Sequence, residues 1–161
     1  MRKLTMALAG AATLLMSSVP AWAAGNVTFT EPEKYADIGW DNYDREWVLK
    51  DLGTHIVKLG NKLPADRNLK VEVLDVDLAG RMEHFIRLGG AVRVVGRQAD
   101  WPRMELRYTL ESNGQVLAQG TEKIADMGYF FGHPHYSTSD PLRYEKRMLD
   151  RWFKDRIASL K

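Results

Sequence analysis

The sequence predicts an α+β domain: a sheet of about four, mainly antiparallel strands with two helices packed on one face. Three observations carry this. Residues 103–111 alternate polar and apolar without a break, as a strand with one wet face does. Two stretches, near 43–60 and 142–160, repeat apolar residues at steps of 3 and 4, as helices with one buried face do. The order along the chain is strand, helix, strand, strand, strand, helix, so one sheet with both helices on the same side covers every apolar stripe.

Val27 to Thr30 reads as a short strand closed by Glu31-Pro32. Asp41 or Asn42 can cap a helix that starts near Tyr43. Its apolar positions are Trp47, Val48, Leu52, Ile56 and Leu59, and Gly60 is placed for a left-handed cap at its C-terminus. His55, at the edge of this stripe, reads as a packed side chain.

Leu69, Val71 and Val73 then alternate with Lys70 and Glu72, but Leu74, Val76 and Leu78 continue on the opposite parity. A strand cannot change face without a cause: either a bulge adds a residue near Val73-Leu74, or both faces are covered there. Asp75 and Asp77 then share the solvated side. Residues 81–100 lack a clean period and read as a mobile excursion carrying a short strand at 91–95. In the next strand Met104, Leu106, Tyr108 and Leu110 face one way, with Arg103, Glu105, Arg107 and Thr109 opposite.

Asn113-Gly114 is a hairpin signal. The return strand runs from Gln115 to Ile124, with Leu117 or Val116 opposite Leu110 according to the turn. Asp140-Pro141 opens the last helix. Its buried stripe is Leu142, Met148, Leu149, Trp152, Phe153, Ile157 and Leu160. Arg143, Lys146, Arg147 and Asp150 fall mostly off that stripe, with Asp150 facing Lys154 at i, i+4.

The first residues read differently. Met1-Arg2-Lys3 precedes an uncharged run from Leu4 to Val19, and Ala21-Trp22-Ala23 follows. This is the pattern of a secretory signal peptide, residues 1–23, cleaved after Ala23. The run falls short of the roughly 20 residues that span a bilayer, and no later stretch is apolar enough to do so. One domain, 24–161, is expected in the periplasm. Arg2 and Lys3 leave with the leader, so the basic count falls from 23 to 21 and equals the 21 acids. A neutral chain argues against bulk attraction to nucleic acid or anionic lipid. The absence of cysteine removes disulfides, thiol nucleophiles and thiolate metal sites.

Candidate chemistry is sparse. His133-Pro134-His135 places two imidazoles on one side of a stiff segment, where they can chelate zinc or copper. A third ligand has to come from elsewhere, with Asp126, Asp140 or His84 as donors; the plainer reading is a connecting loop. Asp75 and Asp77 share a strand face and can hold a cation or divide acid and base roles. The plainer reading of that pair is a solvated strand. Asp126 suits a turn. Tyr129, Phe130 and Phe131, with Arg103 and Arg107, form the candidate binding set. Motifs for a serine-hydrolase elbow, a zinc-protease helix or a phosphate loop are absent from the sequence, and no cofactor is implied.

"VTFTEPEKYADIG" (27–39), "VDLAG" (76–80), "WPRMELRY" (101–108) and "YEKRML" (144–149) resemble a bacterial family of secreted proteins known as domain of unknown function 3016. The resemblance spans nearly all of 24–161 and implies a single domain. It brings no activity, cofactor or catalytic residue with it. The expected function is therefore a non-catalytic domain that binds an envelope partner. The alternative is a small metal-binding protein using His133 and His135. A hydrolase using Asp75, Asp77 or Asp126 ranks last.

Overall fold

A computed structural model describes residues 22–24, 26–85, 90–96, 100–131 and 136–160. Along the chain lie β1 (Trp22–Ala24), β2 (Val27–Phe29), α1 (Asn42–Gly60), β3 (Arg67–Asp77), β4 (Arg81–Phe85), β5 (Gly90–Val94), β6 (Arg103–Ser112), β7 (Gln115–Ala125) and α2 (Arg143–Trp152). The main sheet has the order β1-β2-β3-β6-β7, and β4 and β5 form a separate two-stranded ribbon. Among the described strands only β2 and β3 run parallel, with α1 as the crossover between them. The expected four-stranded core sheet is β2, β3, β6 and β7. The expected signal peptide lies outside the described residues except for Trp22 and Ala23, which pair with Phe29 and Thr28.

The inner face of the sheet is built by alternation. Leu69, Val71 and Val73 of β3 and Met104, Leu106, Tyr108 and Leu110 of β6 are all buried. Leu74 is the extra residue of a bulge: Val73 pairs with Leu106, and Asp75, not Leu74, pairs with Glu105. The bulge restores the inward face at Val76 and leaves Asp75 and Asp77 on the outer one. That outer face is a polar ladder of Glu72–Arg107, Lys70–Glu111, Arg103–Asp77 and Lys123–Glu105 pairs.

α1 packs Val48, Leu49, Leu52, Ile56 and Leu59 against the sheet. Asp41 is its cap, with Oδ1 accepting the Asp44 amide at 2.9 Å. Two expectations about this helix fail. Trp47 stands about 100° around the helix from Val48 and is 40% exposed. Gly60 is not followed by a left-handed cap: Asn61 is right-handed, and the Asn61 and Lys62 amides close back on Val57 and Leu59 carbonyls.

The hairpin turn has φ of 49° at Asn113 and 80° at Gly114, the double-positive geometry of a two-residue turn. A second bulge follows at Leu117, so Leu110 faces Ala118 and neither Leu117 nor Val116. The excursion after Gly80 does carry a short strand, at 90–94; among the described residues it pairs with β4 and is not part of the main sheet. Gly80, at φ 84°, begins this ribbon, and a Cβ there would collide with the Val94 carbonyl.

α2 closes the same face as α1. Asp140 Oδ1 accepts the Leu142 amide at 2.9 Å ahead of the first turn. Trp152 meets Tyr108 edge to face, with ring centroids 5.9 Å apart, and its Nε1 donates to Glu122 of β7 at 3.2 Å. The helix ends in a wider π turn over Phe153–Ile157. Lys146 and Arg147, expected to lie mostly off the buried stripe, are buried with Glu145 because each finds a polar partner underneath. No helix among the described residues is long and apolar enough to cross a membrane.

Candidate functional site

The end of the sheet where β3 and β7 finish and β6 begins gathers a buried ion-pair cluster and a run of aromatic side chains. Asp126 follows β7 directly and is almost fully buried. Its amide donates to the Pro102 carbonyl and its carbonyl accepts from Tyr129 N. Two α2 arginines neutralise its carboxylate. Arg147 Nη2 lies 2.8 Å from Oδ2, and Arg151 Nη1 lies 3.3 Å from Oδ1. Arg147 Nη2 also donates to the Tyr129 carbonyl at 2.6 Å. One buried guanidinium thus ties the carboxylate and the backbone of the following turn to α2.

Tyr129 is buried in that turn, and its hydroxyl donates to the Gly96 carbonyl beside the β4–β5 ribbon. Burial raises its pKa. Its ring stands edge-on to Tyr144 at 4.9 Å, Phe130 lies edge-on to Tyr129, and Phe131 lies edge-on to Phe130. The rings climb from the interior to the surface, where Phe131 is 73% exposed and Met127 72% exposed. A turn pinned on its inner side thus presents apolar side chains outward, the preorganised form that binding surfaces favour.

The candidate binding set divides in two. Tyr129, Phe130 and Phe131 stand together at this turn. Arg103 and Arg107 point from the outer sheet face and are already paired, Arg103 with Asp77 and Arg107 with Glu72 at 2.6 Å. A groove of about 340 Å³ runs over that face, lined by Asp75, Asp77, Arg103, Glu105 and Lys123 among others. Asp75 accepts the Ala36 amide. Asp75, Asp77 and Asp126 are therefore apart in role, two on the outer ladder and one in the interior.

A family model described as "Protein of unknown function (DUF3016)" matches residues 23–155. The chain belongs to this family. No curated protein and no solved structure matches it. The matched residues include every element from β2 through α2 and end within the π turn that follows it.

His133 and His135 lie outside the described residues. Of the third ligands expected for them, Asp126 is held by arginines and Asp140 Oδ2 by Lys146 at 2.7 Å. Among the described residues no group of three or more His, Asp or Glu is placed to hold a metal. The residue after His135 is anchored: Tyr136 donates to Asp150 Oδ2 at 2.5 Å, and His55 Nε2 lies 2.9 Å from Asp150 Oδ1. Asp150 turns to these partners, contrary to the expected pairing with Lys154.

Burial lowers the His55 pKa below its ordinary 6.5, against the pull of Asp150, with Lys146 and Lys62 adding to the fall. The unfolded chain then takes up the proton first on acidification. The stability His55 contributes is complete above pH 6.5 and is lost as pH falls through the folded value. Chemical denaturation between pH 7.5 and 5 is expected to show a stability loss that His55→Gln reduces; an unchanged slope would remove His55 as its source.

Sequence reasoning missed the clamp on Asp126 and the His55–Asp150–Tyr136 network. A signal for the clamp existed: Tyr144, Arg147 and Arg151 recur at steps of 3 and 4, a second stripe on α2. Glu145 carried none. It is buried, its Oε1 accepts the Ala79 amide at 2.7 Å, and desolvation raises its pKa.

Proposed function

We propose that this DUF3016 chain is an exported, non-catalytic domain of the bacterial periplasm. In this reading it binds another envelope protein through the turn at 127–131. The supporting observation is the aromatic ascent from buried Tyr129 through Phe130 to an exposed Phe131, fixed from beneath by Asp126 and Arg147. Folding does not require Met127 and Phe131 to face water, and rigid exposed rings lose little entropy on docking. The sequence pattern at 1–23 supports export, with cleavage after Ala23.

Hydroxyl-radical labelling of the protein in intact cells, compared with purified protein, tests this. Met127, Phe130 and Phe131 are expected to be labelled several-fold less in cells, while Val116 and Leu117 at the far hairpin are labelled equally. Equal labelling at both places would count against docking here.

A second reading has one observation in its favour. Tyr136 is fixed against Asp150 and His55, so the chain leaving His135 starts beside an imidazole and a carboxylate. The domain would then bind a metal through His133 and His135. Elemental analysis of the purified protein decides it: stoichiometric zinc or copper, lost in the His133→Ala/His135→Ala variant, supports it, and metal-free protein after loading and dialysis rejects it.

A further inference from the structure

A different surface, independent of the turn at 127–131, carries a second recognition chemistry. Trp40 (53% exposed), Tyr43 (78%) and Trp47 (40%) follow one another at steps of 3 and 4 at the start of α1. The buried face of the helix is Val48, Leu49, Leu52, Ile56 and Leu59, so Tyr43 and Trp47 lie on the side away from the sheet. Their presentation is fixed. Gly39, at φ 125°, makes a tight approach to Asp44, and the Trp40 amide donates to Asp44 Oδ2. Asp41 caps the helix.

Acids outnumber bases in the sequence about these rings. Between residues 31 and 50 the chain has Glu31, Glu33, Asp37, Asp41, Asp44 and Glu46 against Lys34, Arg45 and Lys50. Glu31 is paired with Lys34 and Asp37 with Arg93. Glu33 and Glu46 are left facing solvent with no ion pair among the described residues. A backbone bridge from Asp37 to Asp77 brings Asp75 and Asp77 to the same end of the molecule, where Asp77 is paired with Arg103. Exposed indole and phenol faces within an acidic field attract cations by their quadrupole and by charge together. The same field repels anionic lipid and nucleic acid.

We infer that the Tyr43–Trp47 face of α1 docks an arginine- and lysine-bearing segment of a protein partner, with cationic side chains stacked on the rings and flanked by Glu33 and Glu46. Fluorescence anisotropy of a labelled peptide alternating arginine and glycine, titrated with the folded protein, tests it. Saturable binding is expected, with a glutamate–glycine counterpart not binding and added salt weakening the complex. Tyr43→Ala with Trp47→Ala is expected to weaken binding by about tenfold, and Glu46→Gln less. Circular dichroism melting of Tyr43→Ala, with its side chain largely in water, is expected to match the parent, which separates binding from folding. Equal binding of both peptides, or binding unchanged in the aromatic double variant, would overturn the proposal. So would preferential binding of a neutral N-acetylglucosamine oligomer over the cationic peptide. The Phe130–Phe131 turn is intact in all these variants, so failure here leaves the docking reading of that turn standing.

Discussion

Replacing Asp126 with alanine is expected to destabilise the domain by about 3–5 kcal/mol, the usual cost of leaving a buried charge without its partner. Arg147 is the charge left behind. Its side chain is 10% exposed, and its guanidinium would keep only the Gly128 and Tyr129 carbonyls as acceptors. Arg151 provides the contrast. Its side chain is 56% exposed, and Arg151→Ala is expected to cost less than about 1 kcal/mol. Urea denaturation of the three proteins checks both. If Asp126→Ala and Arg151→Ala cost the same small amount, Asp126 does not pin the turn.

The second large effect is expected at Trp152. Truncation to alanine should cost about 3–5 kcal/mol, as for other buried tryptophans. The indole lies edge-on to Tyr108 in the middle of the sheet and donates to Glu122 on the edge strand, so one side chain fastens α2 to both β6 and β7. Trp152→Phe retains an aromatic contact and should recover a large part of the loss. Glu122 then keeps Arg156 as its partner at 3.2 Å. A Trp152→Ala variant within 1 kcal/mol of the parent, on the scale of about 0.5 kcal/mol typical of surface changes, would mean that α2 is not clamped this way.

Much of the scaffold was legible because period and parity report directly on burial. The alternation at 103–111, the parity switch at Val73-Leu74 and the helical steps at 142–157 each name a face, and the structure uses those faces. What escaped is contact between distant elements. Trp47 belongs to the right helix but lies on the side away from the sheet, and hydrophobicity alone misplaced it. Segment 81–94 has apolar residues but no clean period to announce where it packs, and its strands pair with each other. At the candidate site, Tyr129, Phe130 and Phe131 could be picked out as a dense aromatic run. That Tyr129 is interior and Phe131 exposed depends on Arg147, 16 residues beyond Phe131 in the chain. Arg103 and Arg107 looked available because a strand pattern shows which face is wet without showing which acid on the neighbouring strand lies opposite.

The most direct measurement is photocrosslinking in living cells, with benzoylphenylalanine placed at position 131 or, as a reference on the outer sheet face, at position 70. Docking through the pinned turn predicts a discrete crosslinked adduct from position 131 that disappears when Met127 and Phe130 are changed to serine, and none from position 70. The absence of any adduct from position 131, or the same adducts from both positions, would contradict it.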